Sequence, residues 1–299
     1  MQQLQSAFIK LLIRFFALLP LPVVQAVGAF SGRIAWFLKA DIAKYTDLNL
    51  AACFPEMNEK DRQALGKRSL EETFITMFEV GKSWILPINK TLESIKRVQD
   101  FANLDSLFVR GKGVIVIVPH LGNWEVLGVY LSQQYPLHAL YQPPNLKGLE
   151  DFIVNGRTKT GTQIYPTNRS GVMSIFKALR KNELVGILPD QEPPSEGGLI
   201  SPFFGNDALT MTLVSKLVHK TDARVICAYA RRLEKGQGYE IVIKPAHEEL
   251  YDKELQVSVN ALNKTIEESI REIPEQYQWE YKRFRQGPEG KTRFYRAHK

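Results

Sequence analysis

The residues best suited to chemistry lie together in Pro119-His120-Leu121-Gly122-Asn123-Trp124-Glu125. An imidazole such as His120 accepts a proton near neutral pH. A carboxylate five residues on, carried by the first turn of a following helix, can curl back to the second ring nitrogen. There it would fix the tautomer and stabilise the imidazolium that forms. The backbone N–H groups of Gly122 and Asn123 would point outward from the helix start and can hold a developing oxyanion. His120 and Glu125 are therefore the candidate catalytic pair, with Gly122 and Asn123 as candidate substrate-binding residues. By spacing alone, the same residues also fit a capping histidine and a surface glutamate on an ordinary helix.

Such a pair needs a rigid frame. Gly113-Val114-Ile115-Val116-Ile117-Val118 is a continuous β-branched run that ends at Pro119. It reads as a strand buried on both faces, in the middle of an α/β sheet. His120 then sits at the strand's carboxyl end, where open α/β sheets form their ligand crevice. Helix and strand patterns alternate beyond it. Helices are expected at 123–134, 149–159, 171–181, 209–220 and 252–272, and strands at 138–141, 163–165, 184–188, 224–231 and 239–244. A long Gly/Pro loop is expected over 191–208. Ahead of the motif, Asn58 caps a helix over 59–86, and a second helix covers roughly 101–110. The fold class is α/β, a mixed, mostly parallel sheet flanked by helices, with an apolar helical N-terminal membrane-associating segment.

That segment occupies residues 1–40, ahead of a single α/β domain over 41–299. Phe15 to Gly32 is free of charge for 18 residues. A spanning helix needs about 20 residues, and Pro20 and Pro22 interrupt this one. Two helices, about 3–18 and 22–39, fit better. Lys10 and Arg14 share one face of the first, as in a helix lying in a membrane interface. A transmembrane anchor, a cleaved signal peptide and a buried core helix are the competing readings.

Net charge is +7 and unevenly placed. Residues 1–40 carry +4 and 279–299 carry +5, which leaves the middle near −2. Both ends thus suit an anionic surface or partner. No nucleic-acid-binding module is recognisable. Two cysteines exclude a disulfide framework and a Cys-rich metal site. There is no Gly-x-Ser-x-Gly elbow, His-Glu-x-x-His zinc pair or Walker loop. No metal and no cofactor is expected.

His120-Leu121-Gly122-Asn123-Trp124-Glu125 closely resembles the first sequence block of the late acyltransferases of lipid A biosynthesis, within the wider lysophospholipid acyltransferase group. Further matches follow in order along nearly the whole chain: Asn155-Gly156-Arg157, Gly186-Ile187-Leu188-Pro189-Asp190-Gln191, Pro202-Phe203-Phe204-Gly205, and Pro274 to Trp279 with Arg283-Phe284. Tyr281 stands where the family usually has a histidine or similar residue. The resemblance implies an acyl carrier protein thioester as donor and a lipid A precursor as acceptor. It also implies a site at the cytoplasmic face of the inner membrane. Arg157 and Asp190 become candidate substrate-binding residues. Arg157 can grip a phosphate or the thioester region through its fork of donors. Asp190 can bind sugar hydroxyls or pair with Arg157. The C-terminal cations Lys282, Arg283, Arg285, Lys291, Arg293 and Arg296 suit an acidic carrier protein or anionic headgroups. Acyl transfer to a glycerophospholipid or mannoside, and a catalytically silent lipid- or carrier-binding protein, are the alternatives.

Overall fold

Apolar residues at helical spacing and proline breaks set the N-terminal third. The computed structural model describes residues 2–99, 104–291 and 294–295. Helices α1 (Gln2–Leu18) and α2 (Leu21–Phe37) are separated at Pro20, followed by α3 (Asp41–Cys53), α4 (Glu59–Ile85) and α5 (Ile88–Glu93). Asn58 caps α4, its side chain accepting from the Asp61 N–H at 3.0 Å. Helix α2 lies close against α4 because Gly28 has no side chain. A Cβ there would fall 2.6 Å from the Cα of Ile75. The faces of α1 and α2 turned away from α4 stay apolar and exposed: Leu4, Phe8, Leu11, Phe15 and Leu18, then Phe30, Ile34 and Phe37. Among the described residues no single helix is long and apolar enough to cross a membrane. Arg14 is spoken for, stacked 5.4 Å over the ring of Phe152.

The rest alternates as expected. In chain order come β1 (Ile95–Gln99), α6 (Asp105–Phe108), β2 (Val114–Ile117), α7 (Trp124–Gln134), β3 (Leu137–Tyr141), α8 (Glu150–Thr158), β4 (Gln163–Pro166), α9 (Arg169–Arg180) and β5 (Leu184–Ile187). Then follow β6 (Gly198–Phe203), β7 (Asn206–Met211), α10 (Leu213–Thr221), β8 (Arg224–Arg232), β9 (Tyr239–Pro245), α11 (Leu255–Glu272) and the short pair β10 (Gln286–Gly287) and β11 (Gly290–Lys291). Seven strands form one sheet in the order β1-β9-β8-β2-β5-β3-β4. Strands β8, β2, β5, β3 and β4 run parallel, while β9 runs antiparallel to β8 and β1 follows β9. Strand β2 is central, and all four of its side chains are 0% exposed. That is what a continuous β-branched run needs.

Three local expectations change. The loop expected over 191–208 contains most of the antiparallel hairpin β6–β7, paired from Gly198↔Met211 to Phe203↔Asn206. Helix α10 therefore starts at Leu213 rather than 209. The helix expected over 101–110 is only Asp105–Phe108, and residues 101–103 lie outside the described residues.

Candidate active site

Strand register builds the site. Strands β2 and β5 are parallel neighbours with Ile117 opposite Ile187. His120 and Asp190 each follow three residues later, so they emerge side by side at the carboxyl ends of adjacent strands. Asp190 is 1% exposed. Its Oδ2 accepts the His120 backbone N–H at 2.8 Å, and its Oδ1 lies 2.9 Å from His120 Nδ1. Burial alone would raise the Asp190 carboxyl. The charge and hydrogen bonds of His120 outweigh it and hold the carboxyl below its usual range. An ionised carboxylate only accepts, so Nδ1 carries a hydrogen, and in the neutral imidazole Nε2 then presents the lone pair. Nε2 faces the Gln191 amide nitrogen at 3.3 Å. The Trp124 ring packs edge-on against the imidazole, with centroids 5.1 Å apart.

The expected partner of His120 is thus replaced. Glu125 does not curl back to the imidazole. It occupies the second position of α7, about 100° round the helix from Trp124, and its carboxylate meets α4 and α8 instead. Arg157 binds it in a fork, with Nε at 3.2 Å from both oxygens and Nη2 at 2.5 Å from Oε1. The Trp84 indole N–H donates to Oε2 at 2.8 Å. Burial would raise this carboxyl, but the Arg157 charge and hydrogen bonds, with those of Trp84 and Trp124, hold it low. Arg157 stays cationic: burial lowers its pKa, and Glu125 more than restores it. Trp124, one residue before Glu125, packs its ring against the imidazole.

The expected oxyanion donors are also engaged. The Gly122 N–H donates to the Gln276 carbonyl at 2.9 Å, and the Asn123 N–H to the Ala230 carbonyl at 2.9 Å. Gly122 adopts φ +64°, and a Cβ there would lie 2.1 Å from the Ala230 oxygen. Only glycine makes that turn without strain. The Asn123 side chain caps α7, accepting from the Val126 N–H at 3.1 Å. Both residues shape the turn rather than face a ligand. Asp190, expected to bind sugar or Arg157, instead holds His120.

A buried polar network underlies this turn, which sequence reasoning missed. Asn123 donates to Glu79 at 2.9 Å, and Gln25 of α2 donates to the same carboxylate at 2.7 Å. Arg232 pairs with Glu79 at 2.7 Å and also with Glu72, and donates to Thr76 at 2.7 Å. The Thr76 hydroxyl in turn donates to the Gly122 carbonyl at 3.3 Å. The C-terminal segment closes the far side, where the Gln278 N–H donates to the His120 carbonyl at 3.2 Å. Its sequence signal was the block Pro274 to Trp279 itself.

A family profile described as bacterial lipid A biosynthesis acyltransferase matches residues 3–286. The chain belongs to that family. This lipid A acyltransferase family member is 26% identical to the lipid A biosynthesis lauroyltransferase of Escherichia coli (strain K12), over 91% of this chain and 88% of that one. It is 28% identical to that organism's lipid A biosynthesis palmitoleoyltransferase, over 93% and 90%. Against the lipid A biosynthesis myristoyltransferase of the same organism the identity is 22%, over 86% and 78%. These three acyl names differ, so family membership leaves chain length open. Like them, the family member is an enzyme, a lipid A biosynthesis acyltransferase.

Proposed function

We propose that the enzyme moves a fatty-acyl chain from an acyl carrier protein thioester to a hydroxyl of a lipid A precursor, without a covalent acyl-enzyme. The observation that carries this is the His120–Asp190 pair. Its ionised, buried carboxylate fixes the proton on Nδ1, so Nε2 is free to take one from a hydroxyl. The alcohol oxygen then attacks the thioester carbonyl carbon, and the imidazolium returns the proton to the departing sulfur. In this reading the Glu125–Arg157 pair holds the Trp84 indole and anchors the start of α7, where the neighbouring Trp124 ring lies against the base. It supports the site without touching the imidazole.

The reaction takes place at the cytoplasmic face of the inner membrane. The support is the exposed apolar stripe of α1 and α2, spaced by four and three residues, which suits a helix seated in a lipid interface. Docking of the carrier draws on fewer cations than the C-terminal composition offers. Arg283 is buried and donates to the Leu209 carbonyl and the Thr210 hydroxyl, at 2.6 and 2.8 Å. Arg285 is paired with Glu192, and Lys282 sits 3.8 Å from the Tyr45 ring centroid. Lys291 stays exposed, and Arg293 and Arg296 lie outside the described residues.

The test is acyl transfer from lauroyl-acyl carrier protein to a lipid A precursor by purified variants. His120→Ala is expected to lose at least about 100-fold in rate, the scale of a lost general base. Wild-type turnover by that variant would end the proposal.

A further inference from the structure

A general base at a thioester needs a second device, a donor for the oxygen that becomes negative. The backbone candidates are engaged, since the Gly122 and Asn123 N–H groups bond to Gln276 and Ala230. Arg157 commits Nε and Nη2 to Glu125, and the Trp84 indole donates to the same carboxylate. The Lys82 ammonium caps the carbonyls of Ala17 and Leu19. The side chain that meets the reacting nitrogen is Gln191.

Gln191 is held at its root and free at its tip. Asp190 before it is fixed by two bonds to His120. The Glu192 N–H after it donates to the Tyr281 hydroxyl at 2.9 Å. The Glu192 carboxylate accepts from the N–H groups of Arg285 and Gln286, at 2.8 and 3.2 Å. Among the described residues, the one hydrogen bond of the Gln191 side chain is the 3.3 Å contact to His120 Nε2. Because Nε2 bears a lone pair while Nδ1 is protonated, the end facing it is the amide NH2, a donor.

We propose that Gln191 is a catalytic residue, supplying the oxyanion donor for the acyl transfer. The inference rests on the reaction proposed above. In the free enzyme the amide N–H caps the Nε2 lone pair. An arriving hydroxyl takes that place, and the amide turns to the carbonyl oxygen of the thioester. The hydroxyl proton then passes to Nε2 as the alcohol oxygen's electron pair attacks the carbonyl carbon. The C=O π pair moves to the oxygen, where the Gln191 N–H meets it. When that pair returns, the C–S bond breaks and the sulfur takes the proton from Nε2. The products are an ester and a free thiol, with the imidazole neutral again. A donor placed next to the base keeps the acceptor hydroxyl and the carbonyl oxygen within one residue's reach.

The experiment uses the full chain in detergent, with lauroyl-acyl carrier protein and a lipid A precursor, and compares Gln191→Leu, Gln191→Glu and His120→Ala. Removing one oxyanion donor costs about 100-fold or more in kcat. Gln191→Leu is expected to lose that much, with KM for both substrates within about threefold and an unchanged thermal midpoint. Gln191→Glu is expected to fall at least as far, because a carboxylate repels the developing charge. The inference is overturned if Gln191→Leu keeps kcat within about threefold, if its loss lies in KM alone, if it comes with a lowered thermal midpoint, or if Gln191→Glu turns over normally. Wild-type turnover by His120→Ala would instead remove the base assignment, whatever Gln191 does.

Discussion

Asp190→Asn is the sharpest perturbation of the site. The wild-type carboxylate accepts two hydrogen bonds, from the His120 backbone N–H at 2.8 Å and from Nδ1 at 2.9 Å. Asparagine has nearly the same shape but only one acceptor atom. The backbone N–H is a fixed donor, so the amide oxygen must turn to it. The amide NH2 then faces Nδ1, which can accept only by moving its proton to Nε2. The nitrogen that should take a proton from the alcohol already holds one. A buried carboxylate–imidazole pair altered in this way loses about 10⁴-fold in kcat, or about 5 kcal/mol of barrier. The assay is single-turnover acyl transfer from a thioester donor, read beside thermal unfolding so that misfolding is separated from chemistry. Retention of more than a tenth of wild-type kcat would refute the tautomer argument. The same carboxylate makes a signed contribution to stability. Its folded pKa is depressed, so the stabilisation is fully present above the unfolded value of about 4 and fades as pH falls through the folded one. Asp190→Asn is therefore expected to flatten the acid limb of a stability-versus-pH curve, measured by urea unfolding.

Other substitutions probe the surroundings. Arg157→Met leaves the nearly buried Glu125 charge without its partner and is expected to cost about 3 kcal/mol in urea unfolding, some of which Glu125→Gln in the same chain restores; additive losses would contradict the pairing. Gly122→Ala places a Cβ 2.1 Å from the Ala230 oxygen at φ +64°, so at least about 2 kcal/mol of stability and most activity should go together, and a stable, active variant would show that the turn is wrongly described. Phe8→Asp with Phe15→Asp is expected to abolish co-sedimentation with anionic phosphatidylglycerol vesicles while leaving the circular dichroism spectrum unchanged; undiminished sedimentation would move the lipid contact elsewhere.

The sequence was most readable where one residue's neighbours decide its state. The β-branched run before Pro119 could only be a strand covered on both faces, and it is β2. The prolines after Leu18 favoured dividing the apolar stretch into a pair of helices, and α1 and α2 are separated there. What stayed hidden depends on which strands lie side by side. His120 and Asp190 are 70 residues apart, and only the pairing of β2 with β5 brings them level. A glutamate five positions away looked nearer because sequence distance stood in for spatial distance. The helix start at Trp124 then rotated it toward Arg157. Helix α3 escaped notice because its inward positions Ala43, Thr46, Asn49, Leu50 and Cys53 are partly polar. Asn49 offsets its burial through the Trp279 and Tyr281 carbonyls, at 2.6 and 2.8 Å. The hairpin β6–β7 was masked by glycines and prolines that usually mark loops.

Gln25 belongs to a helix whose outward face is grease, yet its amide is one of the ligands of Glu79, the carboxylate that also steadies Asn123 and Arg232. The N-terminal helix pair is thus part of the foundation of the site. Trimming it to obtain a water-soluble catalytic fragment would uncover the α4 face that Gly28 lets α2 approach. The same cut would strip a donor from a buried carboxylate beneath the histidine turn. Solubilising this enzyme calls for repainting the outer stripe with polar residues while leaving the inner one untouched.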